Sequence, residues 1–339
     1  MGTALSKTRD TTFDSIKFVV IALVILGHSF QLNMGGGTNF NAHLYSFGIS
    51  FHMPAFIIMS GYFYRDSEPW KFWRGILELL LVILIFQIIY FSWDWLDPFD
   101  FSLKGLWYRV SHLYLPRKAM WYILSLCFWR LFMRYYPKKI RENYKIAIPI
   151  ALGISLLAGF VPVSGQFSFQ KTLVFFPYFL LGYYLHKYDL WKKIRGLNKW
   201  ICGAIILVYF IVVMLIPNFP DSMCTAHLHY FNGLADWKIM FGLRVVSYLY
   251  MLPLTICIIN VIPDWKFFAE QGENTMFYFL YHPYFIWLMN WCVVKFNAPT
   301  STLFLFIYTA ISMFIMYWLT KIPFLNFLTK PITTIRSKK

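Results

Sequence analysis

The chain has 339 residues, of which 59% are apolar or aromatic and only 14% charged. That composition excludes an ordinary soluble domain, and apolar stretches recurring from end to end place the chain among polytopic membrane proteins. The formal charge of +16, from 31 Lys and Arg against 15 Asp and Glu, reads as a basic bias of cytoplasmic loops rather than a nucleic-acid footprint.

Ten stretches are long enough to cross a hydrocarbon core of about 30 Å at a rise of 1.5 Å per residue. They lie at roughly 14–33, 46–64, 75–95, 119–136, 144–163, 171–188, 200–217, 244–263, 274–295 and 301–320. The fourth, with Arg130, and the sixth, with Pro177, carry the weakest apolar signal. The expectation is an all-α polytopic membrane protein, one transmembrane domain over 1–339 with its helical core at about 14–320 and short tails. If the N-terminus is cytoplasmic, 23 of the 31 Lys and Arg fall inside and 8 outside, so both termini are expected in the cytoplasm. The outer loop 96–118 departs from that bias with four basic residues; the other long outer loop, 218–243, carries Asp221, His227, His229, Asn232 and Asp236. The first apolar run is too long for a cleavable signal and ends in GHSFQLN, so it reads as a retained helix.

That first helix holds Asp14, Lys17 and His28 in otherwise apolar surroundings. Eleven residues separate Lys17 from His28, about 1100° of rotation, which leaves them about 20° apart and about 16 Å apart along the axis. Ionisable groups at membrane depth usually face a protein interior or a wet cavity. The plainer alternative is that Lys17 snorkels to the headgroups and His28 is a hydrogen-bonded interior residue. Asp14 lies near the same face and can orient Lys17, but it is about 21 Å from His28.

In the second segment, FGISFHMPAFIIMSGYFYR, His52 falls about 8–10 Å below the outer surface, close to the depth of His28. Two histidines can therefore face one cavity in the outer half of the membrane. Pro54 frees a backbone carbonyl, and such breaks are tolerated where they line cavities; Ser60 and Gly61 permit close helix packing. Lys71 and Arg74 follow at the cytoplasmic side, with Glu78 one turn on as a pairing partner for Arg74. Trp121 and Tyr122 are either cavity-lining or membrane-belt aromatics. Arg130 is expected to face the cytoplasmic headgroups. In the ninth span, Asn274 begins ENTMFYFLYHPY and His282, before Pro283, lies about 12 Å above the cytoplasmic face. Cys127, Cys202, Cys257 and Cys292 sit in apolar segments as small hydrophobes. The group Cys224, His227, His229 matches no familiar metal-site spacing, and no metal is expected.

The successive stretches TFDSIKFVVIALVILGHSF, FHMPAFIIMSGYFY, WKFWRG, MWYILSL, FFPYFLLGYYL and NTMFYFLYHPY resemble, in order and spacing, the integral-membrane acyltransferase family 3. The likeness spans nearly the whole chain and is greatest to its fucose 4-O-acetylase-like branch. The family's basic residue, ten intervening residues, then histidine is matched by Lys17 and His28, and its basic pair after the second helix by Lys71 and Arg74. Each motif carries lysine where much of the family has arginine, which replaces a bidentate fork with a point charge.

The resemblance implies acyl transfer from cytoplasmic acyl-CoA to a hydroxyl of a glycan or glycolipid, in a bacterial cytoplasmic membrane. Acetyl-CoA is then a co-substrate, and no cofactor is bound permanently. Lys71, Arg74 and Lys17 stand where the phosphates of CoA would dock, with Asn274 and His282 near the thioester arm. Histidine suits removal of a hydroxyl proton at neutral pH, so His28 is the expected general base, with Lys17 and Asp14 supporting it. A covalent acyl-histidine is the variant. His52, Trp121 and Tyr122 are the expected acceptor side. Two other readings stay open: O-succinyl transfer on the same scaffold, or a proton-coupled transporter with a relay through His28, His52 and His282. Lipid is an expected partner, nucleic acid is not, and a homo-oligomer is left open.

Overall fold

The computed structural model describes residues 11–31, 40–96, 107, 116–161, 166–217, 219–225, 230–231, 236–297 and 300–333. The described residues form helices and no strands, as expected where every backbone polar group must be satisfied within its own segment. The long helices are α1 (Thr11–Gln31), α2 (Phe40–Ile49), α3 (His52–Tyr62), α4 (Pro69–Leu96), α5 (Met120–Tyr135), α6 (Tyr144–Leu157), α7 (Phe169–Lys187), α8 (Lys199–Leu215), α9 (Trp237–Val261), α10 (Thr275–Phe296) and α11 (Thr302–Leu319). Among the described residues, five stretches are long and apolar enough to cross a membrane: 11–31, 40–62, 69–90, 237–261 and 302–319.

Each predicted segment coincides with one of these helices or, for the second, with the pair α2 and α3. That segment starts at 40 rather than 46 and is interrupted at 50–51. The cause is local: Pro54 has no N–H to offer the carbonyl four residues back, at Ser50, and the helix breaks there. The third helix starts at 69 rather than 75, because Pro69 is well suited to a first helical position. Lys71 and Arg74 therefore lie within the first turns of α4, not in a preceding loop.

Helix α1 is the hub. It packs against α2, α3, α10, α11 and the short helix Lys266–Gly272. Its N-terminus is tied down by Asp264, whose carboxylate accepts from the hydroxyls of Thr11, Thr12 and Ser15 at 3.2, 3.0 and 3.2 Å. Burial orders the helices from inside out: 72% of the 40–62 window is buried against 22% of that in α11. The faces that α8 and α11 turn outward carry Leu207, Val208, Phe314 and Trp318, the composition of a lipid-facing surface.

Helices α3 and α7 approach most closely, through glycines on both sides. A Cβ added at Gly61 would collide with the carbonyl of Phe179, and one at Gly182 with the carbonyl of Ile58. Small residues let the backbones meet. The contact holds His52 and the Ser60–Tyr122 pair, whose hydroxyls are 2.6 Å apart, in fixed register against α5 and α7. Replacing Gly182 by leucine should therefore destabilise the protein by about 3 kcal/mol or more. Gly203→Ala, where a Cβ meets nothing within 4 Å, should change it by less than about 0.5 kcal/mol. Thermal unfolding followed by size-exclusion chromatography in detergent checks both.

Candidate active site

The C-terminal end of α1, the break between α2 and α3, the N-terminal ends of α5 and α7 and the middle of α10 converge on a cavity of about 510 Å³. Its polar lining includes His28, Gln31, His52, Lys118, Lys171, His282 and Asn290, with Tyr45, Cys224 and Thr225 beside them and Trp121, Phe175, Phe279 and Trp287 among its apolar walls. Among the described residues no carboxylate lines it.

The three histidines form one cluster. The ring of His28 stacks on that of His282 with centroids 5.5 Å apart and 18° between planes, and lies 6.4 Å from that of His52. His52 and His282 are buried, at 7% and 3% exposure, whereas His28 is half-buried and open to the cavity.

Each imidazole is held through Nδ1. His52 Nδ1 is 2.7 Å from the carbonyl of Gly48, His282 Nδ1 is 2.8 Å from that of Phe279, and His28 Nδ1 is 3.2 Å from Oε1 of Gln31. A carbonyl oxygen only accepts, so all three nitrogens carry their proton there and each Nε2 keeps a lone pair. The carbonyls are available because the helices are interrupted. Gly48 lies in the last turn of α2, and Pro283 cannot donate to Phe279, four residues back, so the side chain of His282 donates instead. Such an array presents bases and acceptors, with two ammonium groups as the only fixed charges among the described residues of the wall.

The structure gathers His28, His52, His282 and Trp121 at this cavity. It does not bring Asp14, Lys17, Lys71, Arg74 or Asn274 there. Lys17 pairs with buried Asp14 at 2.5 Å, about three turns below His28. Lys71 pairs with Glu68 at 3.0 Å, and the Arg74 guanidinium lies 5.0 Å from the Trp70 ring centre, both at the opposite end of the molecule. Asn274 occupies the position before the first residue of α10. Tyr122 packs its ring on Phe279 at 5.2 Å and bonds Ser60, outside the lining.

Two expectations about charges are corrected. Glu78 does not pair with Arg74; its carboxylate accepts from the amide and hydroxyl of Thr333 at 2.9 and 2.8 Å. Arg130 does not point to headgroups; its guanidinium reaches inward to α4, into space left by the missing side chain of Gly75. His227 and His229 lie outside the described residues, and no metal-binding group of three or more His, Cys, Asp or Glu occurs among the described ones. Gln31, Lys118, Lys171 and Asn290 escaped the sequence reading as site residues. Gln31 carried a signal, one turn after His28 on the same face, and Lys118 belongs to the loop whose basic residues departed from the topology rule.

A nodulation protein, NolL, of Mesorhizobium japonicum is 24% identical over 222 residues, which cover 63% of this chain and 56% of that protein. The chain thus spans little more than half of that relative. No solved structure matches. The acyltransferase 3 family, described as an acyltransferase domain, matches residues 10–321, the entire helical core from α1 through α11. The chain belongs to this acyltransferase family.

Proposed function

We propose that the protein is a membrane O-acyltransferase that moves an acetyl group from cytoplasmic acetyl-CoA to a sugar hydroxyl of a surface polysaccharide or its lipid-linked precursor. The observation that carries this reading is His28, the accessible member of a histidine cluster whose Nε2 atoms all keep their lone pairs. In this mechanism Nε2 of His28 takes the acceptor's hydroxyl proton as the oxygen attacks the thioester carbonyl carbon. The tetrahedral intermediate collapses, the C–S bond breaks, and the proton on His28 passes to the departing CoA thiolate. His52 and His282 shape the pocket, and Trp121 offers a face to the sugar.

The donor's charged head is assigned to Lys71 and Arg74, with Lys17 between them and the cavity; ammonium and guanidinium groups are the usual partners of phosphate. From Lys17 to His28 is about 16 Å of helix, a span suited to the extended pantetheine arm. Ten spans with both termini cytoplasmic, in a bacterial inner membrane, put the cavity in the outer half. The motif pattern favours the fucose 4-O-acetylase-like branch. A succinyl donor would use the same residues. A proton relay would use the same histidines, but family membership favours transfer.

In nanodiscs, His28→Ala should lower kcat for acetyl transfer by about 10²–10⁴-fold, and unchanged turnover would remove His28 from the chemistry. Gln31→Ala, which frees Nδ1, should cost one hydrogen bond, roughly 2–12-fold in kcat with KM held. The double change Lys71→Ala and Arg74→Ala should raise KM for acetyl-CoA roughly tenfold or more and flatten its dependence on salt. A KM rise confined to the acceptor would assign that end of the molecule differently.

A further inference from the structure

The transfer chemistry accounts for the histidines but not for the cations beside them. Lys118 precedes α5 and Lys171 lies in the first turn of α7, and both line the histidine cavity. Among the described residues the lining contains no acid to neutralise them. Among the described residues neither forms an ion pair: the Lys171 ammonium lies over the ring of Trp121, 4.8 Å from its centre, and the Lys118 backbone takes a positive φ of 48° to turn into α5. Asp221, whose Oδ1 is buried without a hydrogen-bond partner, is near Tyr45 and Cys224 on that wall but is not among the described residues of the lining.

Snorkelling to headgroups would explain a lysine at a helix end. It does not explain two of them, from different helices, turned into one cavity. Paired cations in a partly enclosed site without a counter-charge are a poor arrangement for a neutral sugar and a good one for an anion. The first-turn amides of α5 and α7 add to the same sign.

We propose that Lys118 and Lys171 bind an anionic group of the acyl acceptor, a phosphate or a carboxylate carried close to the hydroxyl that is modified. The assignment of that anion to the acceptor rests on the transferase reading above. Substrate selection then occurs at the end of the cavity away from Lys71 and Arg74. The donor's phosphates and the acceptor's anion are held at opposite ends of the protein, with His28 between them. Trp121 supports Lys171 from below and supplies a stacking face for the sugar that carries the anion.

The test uses the full chain in nanodiscs with Asn290→Cys as a reporter, since Asn290 is exposed on the cavity wall. Modification at position 290 by N-ethylmaleimide is read by peptide mass spectrometry. Protection is measured with glucose, glucose 1-phosphate and glucuronate. At least one of the two anionic sugars should protect at a concentration tenfold or more below that of glucose, and which one does so distinguishes phosphate from carboxylate. Adding Lys118→Gln and Lys171→Gln should reduce that preference to less than twofold, whereas Lys171→Arg should preserve it. Equal protection by all three sugars, no protection by either anionic one, or a preference that survives both glutamines would overturn the proposal. Protection by acetyl-CoA through the same two lysines would assign the anion to the donor and overturn it as well. Acetyl-CoA turnover by the unmodified protein is recorded separately: its absence would overturn the transferase reading, while the anion preference is still read from the labelling.

Discussion

A polar group removed from water inside an apolar helical bundle must find a hydrogen-bond partner, and the site follows from how three imidazoles meet that demand. An unbroken helix spends all its interior carbonyls on its own amides. The break between α2 and α3 and the proline in α10 release carbonyls at membrane depth, and His52 and His282 take them through Nδ1. His28, near the last turn of α1, uses the Gln31 side chain for the same purpose. One solution, repeated three times, fixes the tautomers and leaves each Nε2 open. The rest of the bundle holds those three imidazoles together: glycine contacts between α3 and α7, and the Asp264 clasp on the foot of α1.

The charges are arranged around that cluster in two groups. Lys71, Arg74 and the Asp14–Lys17 pair lie at one end, and Lys118 and Lys171 at the other. On the proposed reading, with the donor drawn from one side of a membrane and the acceptor from the other, such a division lets the two substrates meet at one base without competing for one anion site. The Lys17–Asp14 pair suits a fixed waypoint: the carboxylate is buried and the lysine half-exposed, so the ammonium is held in place rather than free to snorkel.

Much of the fold was legible from hydropathy, because length and apolar composition decide which segments can lie in lipid. The helical periods also placed Lys17 and His28 on one face. The depth argument gave His28 and His52 a common level but put His282, about 12 Å above the cytoplasmic face of a core of about 30 Å, roughly 8–10 Å deeper; the packing of α10 on α1 instead stacks its ring on that of His28. What the sequence did not reveal depends on contacts between distant segments. Arg130 looked like a headgroup residue because the space beside Gly75 belongs to another helix. Glu78 looked like a partner for Arg74 because Thr333 is 255 positions away. Tyr122 sits beside Trp121 in the chain, but helical geometry turns successive residues about 100° apart, so one faces the cavity and the other Ser60.

The central claim is the state of the three imidazoles, and nitrogen NMR of histidine-labelled protein in nanodiscs tests it most directly. Signals assigned by single His28→Asn, His52→Asn and His282→Asn substitutions should show neutral rings at pH 7.5, each protonated at Nδ1 with a bare Nε2. Rings protonated at Nε2, above all that of His28, would contradict the account, since the lone pair that the proposed mechanism needs for the acceptor's proton would then point at a carbonyl oxygen.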